Sequence, residues 1–402
     1  VRLNGLVLGL VLLAGHLLRP GEGGLRRMRA PELWVAGGAA LVTVLALQPY
    51  LLVNPILLTR ADTVFGFGLA LRVAQLEFLQ PWTLVDIGGT FFWDHWFGLW
   101  PWICGWPLTL AMLVAAGYVA WRGSLPQRLV LLWCGLYFLS VGSLSVKAVR
   151  YVLPMLPLLA LLTGVLCAAL WRHWRRAGGL VTLALAGHVA VYGLAFARVY
   201  TEEDSRIQAG RWVVRQVPVG DRIGLETGAY NVRGVVDPAV YRHQTLSVAG
   251  LFYGSAYMLC GQQVDYLGER LQSMDWLVLV EENRAAQFDS APALFPVVAD
   301  FYARMFAGEL GFAPVQRFAV EPELLGWNFG GGTELSFRAY DHPAVRVFRR
   351  REGDWAGVLA GWRAQVGASP ACADGGLRNV AATLERGAVA AAVERAAELS
   401  ER

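Results

Sequence analysis

Long apolar runs fill the first half of this chain and limit its fold more than any other feature. A helix needs about 20 mostly apolar residues to cross the hydrocarbon core of a bilayer. Charged residues make up only 16% of the 402-residue sequence, whereas soluble domains carry about 25%. The sequence therefore predicts a polytopic α-helical membrane protein, with about six spans in residues 1–197. The predicted spans are 3–18, 33–53, 101–121, 129–145, 151–171 and 180–197.

Three short loops between these spans carry arginines and predict the orientation of the chain. Four arginines lie in 19–32, two in 122–128 and three in 172–179. Because these loops alternate along the chain, the positive-inside rule places all three in the cytoplasm. Everything after residue 198 is then expected on the extracytoplasmic side of the plasma (inner) membrane, as part of a multi-pass protein.

The segment 54–100 is predicted to be an interfacial loop. It is too long for a tight turn and too polar for a span, and its end is rich in tryptophan and phenylalanine. Such rings prefer the headgroup level of a bilayer, so the favoured interpretation is an aromatic anchor. The alternative is a loop that re-enters the membrane edge beside an active cavity. In that case Asp94 and His95 are weak candidates for site residues.

Two cations interrupt the apolar sequence between the predicted spans 129–145 and 151–171. Lys147 and Arg150 are three residues apart, so on a helix they would share one face. Their loop is extracytoplasmic in the predicted orientation, where the positive-inside rule does not favour cations. One interpretation is that both side chains reach the headgroups and cap a helix end. The other is that they bind an anion at the outer membrane surface.

After residue 198 the pattern changes to that of an extracytoplasmic α/β domain, predicted for 198–351, followed by an Ala-rich tail over 352–402. Apolar strands alternate with amphipathic helices, which is typical of a small sheet covered by helices. No motif in this domain identifies a reaction. The predicted helices are 206–217, 264–272, 295–309 and 376–401, and the predicted strands are 222–226, 275–281, 314–320, 334–340 and 345–349.

The five cysteines are not expected to form a disulfide framework. Three of them, Cys104, Cys134 and Cys167, lie in predicted spans, and only Cys260 and Cys372 lie outside. The odd count, without CxxC or Cys/His spacing, also argues against a zinc site. No metal ligands and no cofactor are therefore proposed, and dependence on a divalent metal stays open. The net charge of +4 comes largely from arginines beside the spans, so no nucleic-acid partner is expected.

The order of these features resembles the C-terminal half of the polytopic glycosyltransferases of the GT-C superfamily. Within it, the similarity is to bacterial lipid-carrier-dependent enzymes related to the dolichyl-phosphate-mannose protein mannosyltransferases of family 39. Spans alternate with arginine loops, a basic Tyr-x-Leu-Pro element opens a late helix, and an α/β domain follows the last span. The stretches that carry the resemblance are Gln48-Pro-Tyr-Leu-Leu-Val-Asn-Pro55, Gln80-Pro-Trp-Thr-Leu-Val-Asp-Ile-Gly-Gly-Thr90, Lys147-Ala-Val-Arg-Tyr-Val-Leu-Pro154, Ser205-Arg-Ile-Gln-Ala-Gly-Arg-Trp212 and Ser336-Phe-Arg-Ala-Tyr-Asp-His-Pro-Ala-Val-Arg-Val-Phe348.

This resemblance implies a hexosyltransferase that moves a sugar from a polyprenyl-phosphate carrier to a protein, lipid or glycan acceptor at the extracytoplasmic face. Lys147 and Arg150 would bind the phosphate of the membrane lipid carrier. The catalytic aspartate of such enzymes lies in their first extracytoplasmic loop, which is expected upstream of Val1, so the chain is expected to be a C-terminal fragment. The alternatives are a catalytically silent membrane assembly subunit and a lipid or sugar transporter.

Overall fold

The computed structural model describes residues 5–18, 28–47, 49, 53, 67–226, 236, 240–254, 258–331 and 333–373. The chain divides into two compact units. The first contains 1–75 and 88–193, and the second contains 76–87 and 194–402. The segment 76–87, which the sequence places within the interfacial loop, therefore belongs to the same unit as the sheet.

Four helices in the described part of the chain are long and apolar enough to cross a membrane. They fall on four of the predicted spans. Two shorter apolar helices, Gly5–Leu17 and Pro31–Leu47, fall on the predicted spans 3–18 and 33–53, both of which extend beyond the described residues. Six spans are thus not confirmed, whereas the four long helices are Asp94–Arg122, Leu125–Gly142, Val149–His173 and Arg175–Val199.

The first of these four helices is broken at Gly105, where φ is +78°. A side chain at this position would collide with the His188 ring, since a Cβ would lie 2.2 Å from its Nε2. Two carbonyl oxygens beside the break accept hydrogen bonds from side chains of another helix. The Cys104 carbonyl accepts from His188 Nε2 at 3.0 Å, and the Trp102 carbonyl accepts from the Tyr192 hydroxyl at 2.8 Å. Neighbouring side chains thus compensate for a break that would be costly in an apolar environment.

The second unit is built on a mixed five-stranded sheet. Strand β1 pairs in parallel with β2 and β3, and β7 pairs in antiparallel fashion with β3 and β4, so the order is β2-β1-β3-β7-β4. A separate two-residue pair, β5 and β6, lies outside this sheet. The strands are β1 (Arg222–Glu226), β2 (Arg242–Leu246), β3 (Trp276–Val280), β4 (Phe312–Phe318), β5 (Glu323–Leu324), β6 (Trp327–Asn328) and β7 (Val345–Arg350).

Both faces of the central strand β3 are covered, as its uninterrupted apolar sequence predicts. Leu277 and Leu279 belong to one buried apolar cluster, whereas Trp276, Val278 and Val280 belong to another. This alternation follows from the two-residue period of a strand. The helices that accompany the sheet are Ser205–Gln216, Val248–Gly254, Cys260–Gln272, Ala286–Asp289, Pro296–Ala307, Leu335–Asp341, Trp355–Gly367 and Pro370–Ala373.

Most of the predicted elements of this unit are confirmed. The helices predicted at 206–217, 264–272 and 295–309 are present with small changes at their ends, and so are four of the five predicted strands. Strand β2 was not predicted. Helix 376–401 lies outside the described residues, as does most of the Ala-rich tail.

The strand predicted at 334–340 is wrong, because this segment forms the helix Leu335–Asp341. The Glu334 carboxylate accepts hydrogen bonds from the backbone N–H groups of Ser336 at 2.8 Å and Phe337 at 3.3 Å. A side chain that satisfies the free N–H groups of the first turn stabilises a helix start. The cap therefore outweighs the strand-like alternation of apolar residues that follows it.

The sequence argued against a disulfide framework, and this argument did not predict a disulfide that the structure contains. Cys260 and Cys372 are joined by a disulfide, with 5.9 Å between their Cα atoms. The bond connects the start of one helix to the short helix Pro370–Ala373. The odd total was misleading because the three remaining cysteines are buried in the other unit.

Candidate functional site

Lys147 lies in the loop between two of the long apolar helices of the first unit. Arg150 lies in the helical turn Val149–Val152, whereas Lys147 precedes this turn and lies outside any helix. The two cations therefore do not lie on one helix, which was the condition under which the sequence placed them on one face. The Lys147 ammonium pairs with Asp94, with 3.6 Å between Nζ and Oδ2, and the Lys147 side chain is only 12% exposed.

Hydrogen bonds to the backbone carbonyls of Ala74 and Gln75 hold the loop that carries Lys147. The N–H of Val146 donates to the carbonyl of Ala74 at 2.9 Å, and the Ser145 hydroxyl donates to the carbonyl of Gln75 at 3.3 Å. Val146 and Ala148, on either side of Lys147, are both buried. The loop is consequently fixed by its neighbours, and the lysine has a defined position.

Asp94 is oriented by residues that precede it in the chain. Its carboxylate accepts hydrogen bonds from the Thr90 N–H at 2.7 Å and the Thr90 hydroxyl at 3.0 Å. Gly89 allows Lys147 to approach, because a Cβ at this position would lie 1.8 Å from the lysine Nζ. The structure therefore brings Lys147 and the sequence candidate Asp94 together in a cluster that also contains Thr90 and Gly89.

The other two candidates differ in exposure. His95 is fully buried, within the electrostatic influence of Lys147 and Asp94. Arg150 is exposed, and its guanidinium carbon lies 5.3 Å from the centre of the Tyr151 ring. This position suits a cation that can reach an external anion, whereas His95 is enclosed.

A second polar cluster, in the sheet unit, was not identified from the sequence. Glu226, the last residue of β1, is 1% exposed and lies beside Tyr302 and Asn283. The Tyr302 hydroxyl donates a hydrogen bond to one carboxylate oxygen, and the Asn283 side-chain amide donates to the other at 3.2 Å. Burial raises the pKa of Glu226 to about 7, although both hydrogen bonds oppose the shift.

Two more carboxylates follow the end of β3. Glu281 is paired with Arg317 at 2.8 Å and with Arg346. Burial would raise the pKa of Glu281, but these two arginines hold it below its usual value. Glu282 is 2% exposed, and burial raises its pKa even though it accepts hydrogen bonds from Arg338 at 2.7 Å and the Ala344 N–H at 2.6 Å.

The only sequence signal for this second cluster is that Glu226, Glu281 and Glu282 end or follow predicted apolar strands. Acids are common at such positions, so the signal is weak. Among the residues that the structure describes, no group of three or more His, Cys, Asp or Glu side chains could hold a metal ion.

The chain matches no protein-family model, no curated protein and no solved structure in the comparisons made with each.

Proposed function

We propose that this protein is a membrane glycosyltransferase of the GT-C type, which transfers a sugar from a polyprenyl-phosphate carrier to an acceptor at the extracytoplasmic face. The observation that carries the proposal is the fixed ion pair between Lys147, in a loop between two apolar helices, and Asp94, at the start of another apolar helix. The arrangement of four long apolar helices followed by a sheet unit is compatible with such an enzyme.

The chemistry of the reaction explains why a lysine is needed there. Negative charge develops on the carrier phosphate as its bond to the sugar breaks, and a fixed cation stabilises that charge most strongly where water is scarce. Lys147 has three N–H donors, and its contact with Asp94 is longer than the 2.7–2.9 Å usual for a charge-assisted hydrogen bond. In the proposed site the ammonium contacts the carrier phosphate as well as Asp94, with Arg150 as the second cation.

The disulfide supports the proposed orientation. Disulfides persist in oxidising compartments and are rare in the cytoplasm of most organisms. The Cys260–Cys372 bond therefore favours an extracytoplasmic sheet unit.

The test measures binding of undecaprenyl phosphate to the intact protein in lipid nanodiscs, with undecaprenol as the uncharged control ligand. We expect Lys147→Ala and Arg150→Ala each to weaken binding of the phosphate about tenfold or more, because each removes a charged hydrogen bond. Binding of undecaprenol should not change. Transfer of a hexose from the carrier should be lost in the same variants.

Arg172→Ala is the matched control, because Arg172 lies at the opposite end of the apolar helix that begins beside Arg150. It should bind the phosphate as the wild type does. Undiminished phosphate binding by both the Lys147 and Arg150 variants would remove the site assignment. Movement of the carrier or sugar across the bilayer without transfer would instead identify a transporter.

A further inference from the structure

The sheet unit contains an open cavity of about 290 Å³ beside its buried carboxylate cluster. This volume is close to the lower end of the range for small-molecule sites, about 300 Å³, so the cavity is large enough only for a small ligand. Its lining residues are polar, aromatic and small side chains from four parts of this unit. They include Glu281, Glu282, Asp289, Tyr302, Phe306 and Arg338.

The topology of the sheet places this cavity where ligands bind in other α/β folds. Strand β2, which follows β1 in the chain, lies on one side of β1 in the sheet, and β3 lies on the other side. Ligands of open parallel sheets bind at such a reversal, outside the carboxyl ends of the strands. Here β1 ends at Glu226, which accepts a hydrogen bond from the cavity residue Tyr302. Strand β3 is followed directly by Glu281 and Glu282, which line the cavity.

The charges around the cavity balance. Its three carboxylates, on Glu281, Glu282 and Asp289, are matched by three guanidinium groups, because Arg338 pairs with Glu282 and two further arginines pair with Glu281. A neutral surrounding offers no net attraction for a ligand that carries a net charge.

The cavity nevertheless keeps hydrogen-bonding groups for a ligand. Arg338 has five N–H donors, of which only those on Nη2 are engaged by carboxylates in the described residues. Asp289 is exposed, and among the described residues it forms no ion pair. Phe306 adds partly exposed aromatic surface, and the buried Tyr302 ring lies beside it, with 6.2 Å between the ring centres.

We infer that this cavity is a binding site for a neutral saccharide. Sugar hydroxyls can accept hydrogen bonds from Arg338 and donate them to Asp289, and the apolar C–H face of a sugar ring can pack on the aromatic surface. Glu282 is a positioning residue that holds Arg338. This inference does not depend on the carrier-phosphate site, which belongs to the other unit.

The test is saturation-transfer NMR on the intact protein in nanodiscs, with glucose, galactose, mannose and N-acetylglucosamine as probes. At least one sugar should give a signal with the wild type. Ala303→Phe should reduce it about tenfold or more, because Ala303 is exposed and lines the cavity. Ala307→Phe is the matched control, since Ala307 is exposed on the same helix but does not line the cavity, and it should keep the signal.

Asp289→Asn provides a second variant that does not depend on the larger side chain, and it should weaken sugar binding about tenfold. Ala303→Phe should bind undecaprenyl phosphate as the wild type does, which distinguishes this site from that of the carrier phosphate. Absence of a signal for every sugar would overturn the inference, and so would equal signals from the wild type and both cavity variants. Stronger binding of glycine or alanine than of any sugar would also overturn it, because these zwitterions could use the same arginine and aspartate.

Discussion

At the residue scale, Glu226 makes a specific contribution to the pH dependence of the protein's stability. Its folded-state pKa of about 7 exceeds the ordinary value of 4.5, so the native state binds this proton more tightly than the unfolded state does. The stability gained is fully present below pH 4.5 and is lost as the pH rises to about 7. At 1.36 kcal/mol per pKa unit, the loss is roughly 3 kcal/mol. We expect Glu226→Gln to remove this loss. When the pH is raised from about 5 to about 8, the wild type should therefore lose stability relative to the variant.

The measurement is thermal unfolding of the detergent-solubilised protein at both pH values. A variant is needed because other groups also contribute in this range, such as His342, whose pKa is lowered from 6.5 to about 4 by burial, so that its contribution to stability changes in the opposite direction up to about pH 6.5. The control is Glu269→Gln, on an exposed residue, which should follow the wild type. If Glu226→Gln and the wild type differ by the same amount at both pH values, Glu226 does not titrate in this range.

Lys147 and Asp94 also show why sequence reasoning found only part of the candidate site. Lys147 and Asp94 could each be chosen because charges are conspicuous in apolar sequence. Their pairing depends on a loop held by the backbone of Ala74 and on the absence of a Cβ at Gly89. Neither contact has a local sequence pattern, so the pair could not be predicted.

At the element scale, apolar composition predicted the secondary structure correctly, whereas an unusual helix cap was missed. The long apolar runs and the strand β3 were predicted because their composition alone determines where they are stable. A strand was predicted at 334–340, where Leu335, Phe337 and Ala339 stand at alternate positions. The helix that forms there depends on a cap by Glu334, and glutamate is not among the residues that usually cap helices, so the signal was missed.

Removal of this cap tests the assignment. Glu334→Ala should lower the free energy of unfolding of the sheet unit by about 1 kcal/mol and should speed hydrogen exchange at the backbone amides of 336–338. Glu352→Ala, at an exposed position, is the control and should leave exchange there unchanged. Exchange that is equally slow in Glu334→Ala and in the wild type would show that tertiary packing alone forms this helix.

At the scale of the whole molecule, the Cys260–Cys372 disulfide makes it possible to determine on which side of the membrane the sheet unit lies. Loop closure between residues 112 positions apart is worth up to about 5 kcal/mol in the chain-entropy model, so we expect the sheet unit to be stable only where the bond can form. In intact cells, a membrane-impermeant maleimide should not react with Cys260 or Cys372 until a reductant is added, and should react with both afterwards. Cys104, Cys134 and Cys167 are buried and should stay unmodified throughout, which makes the Cys260→Ser/Cys372→Ser double variant a blank. Labelling of Cys260 before reduction would show that the bond is absent. If both cysteines label only after the cells are permeabilised, the sheet unit is cytoplasmic, and sugar transfer at the outer face by this arrangement of helices is excluded.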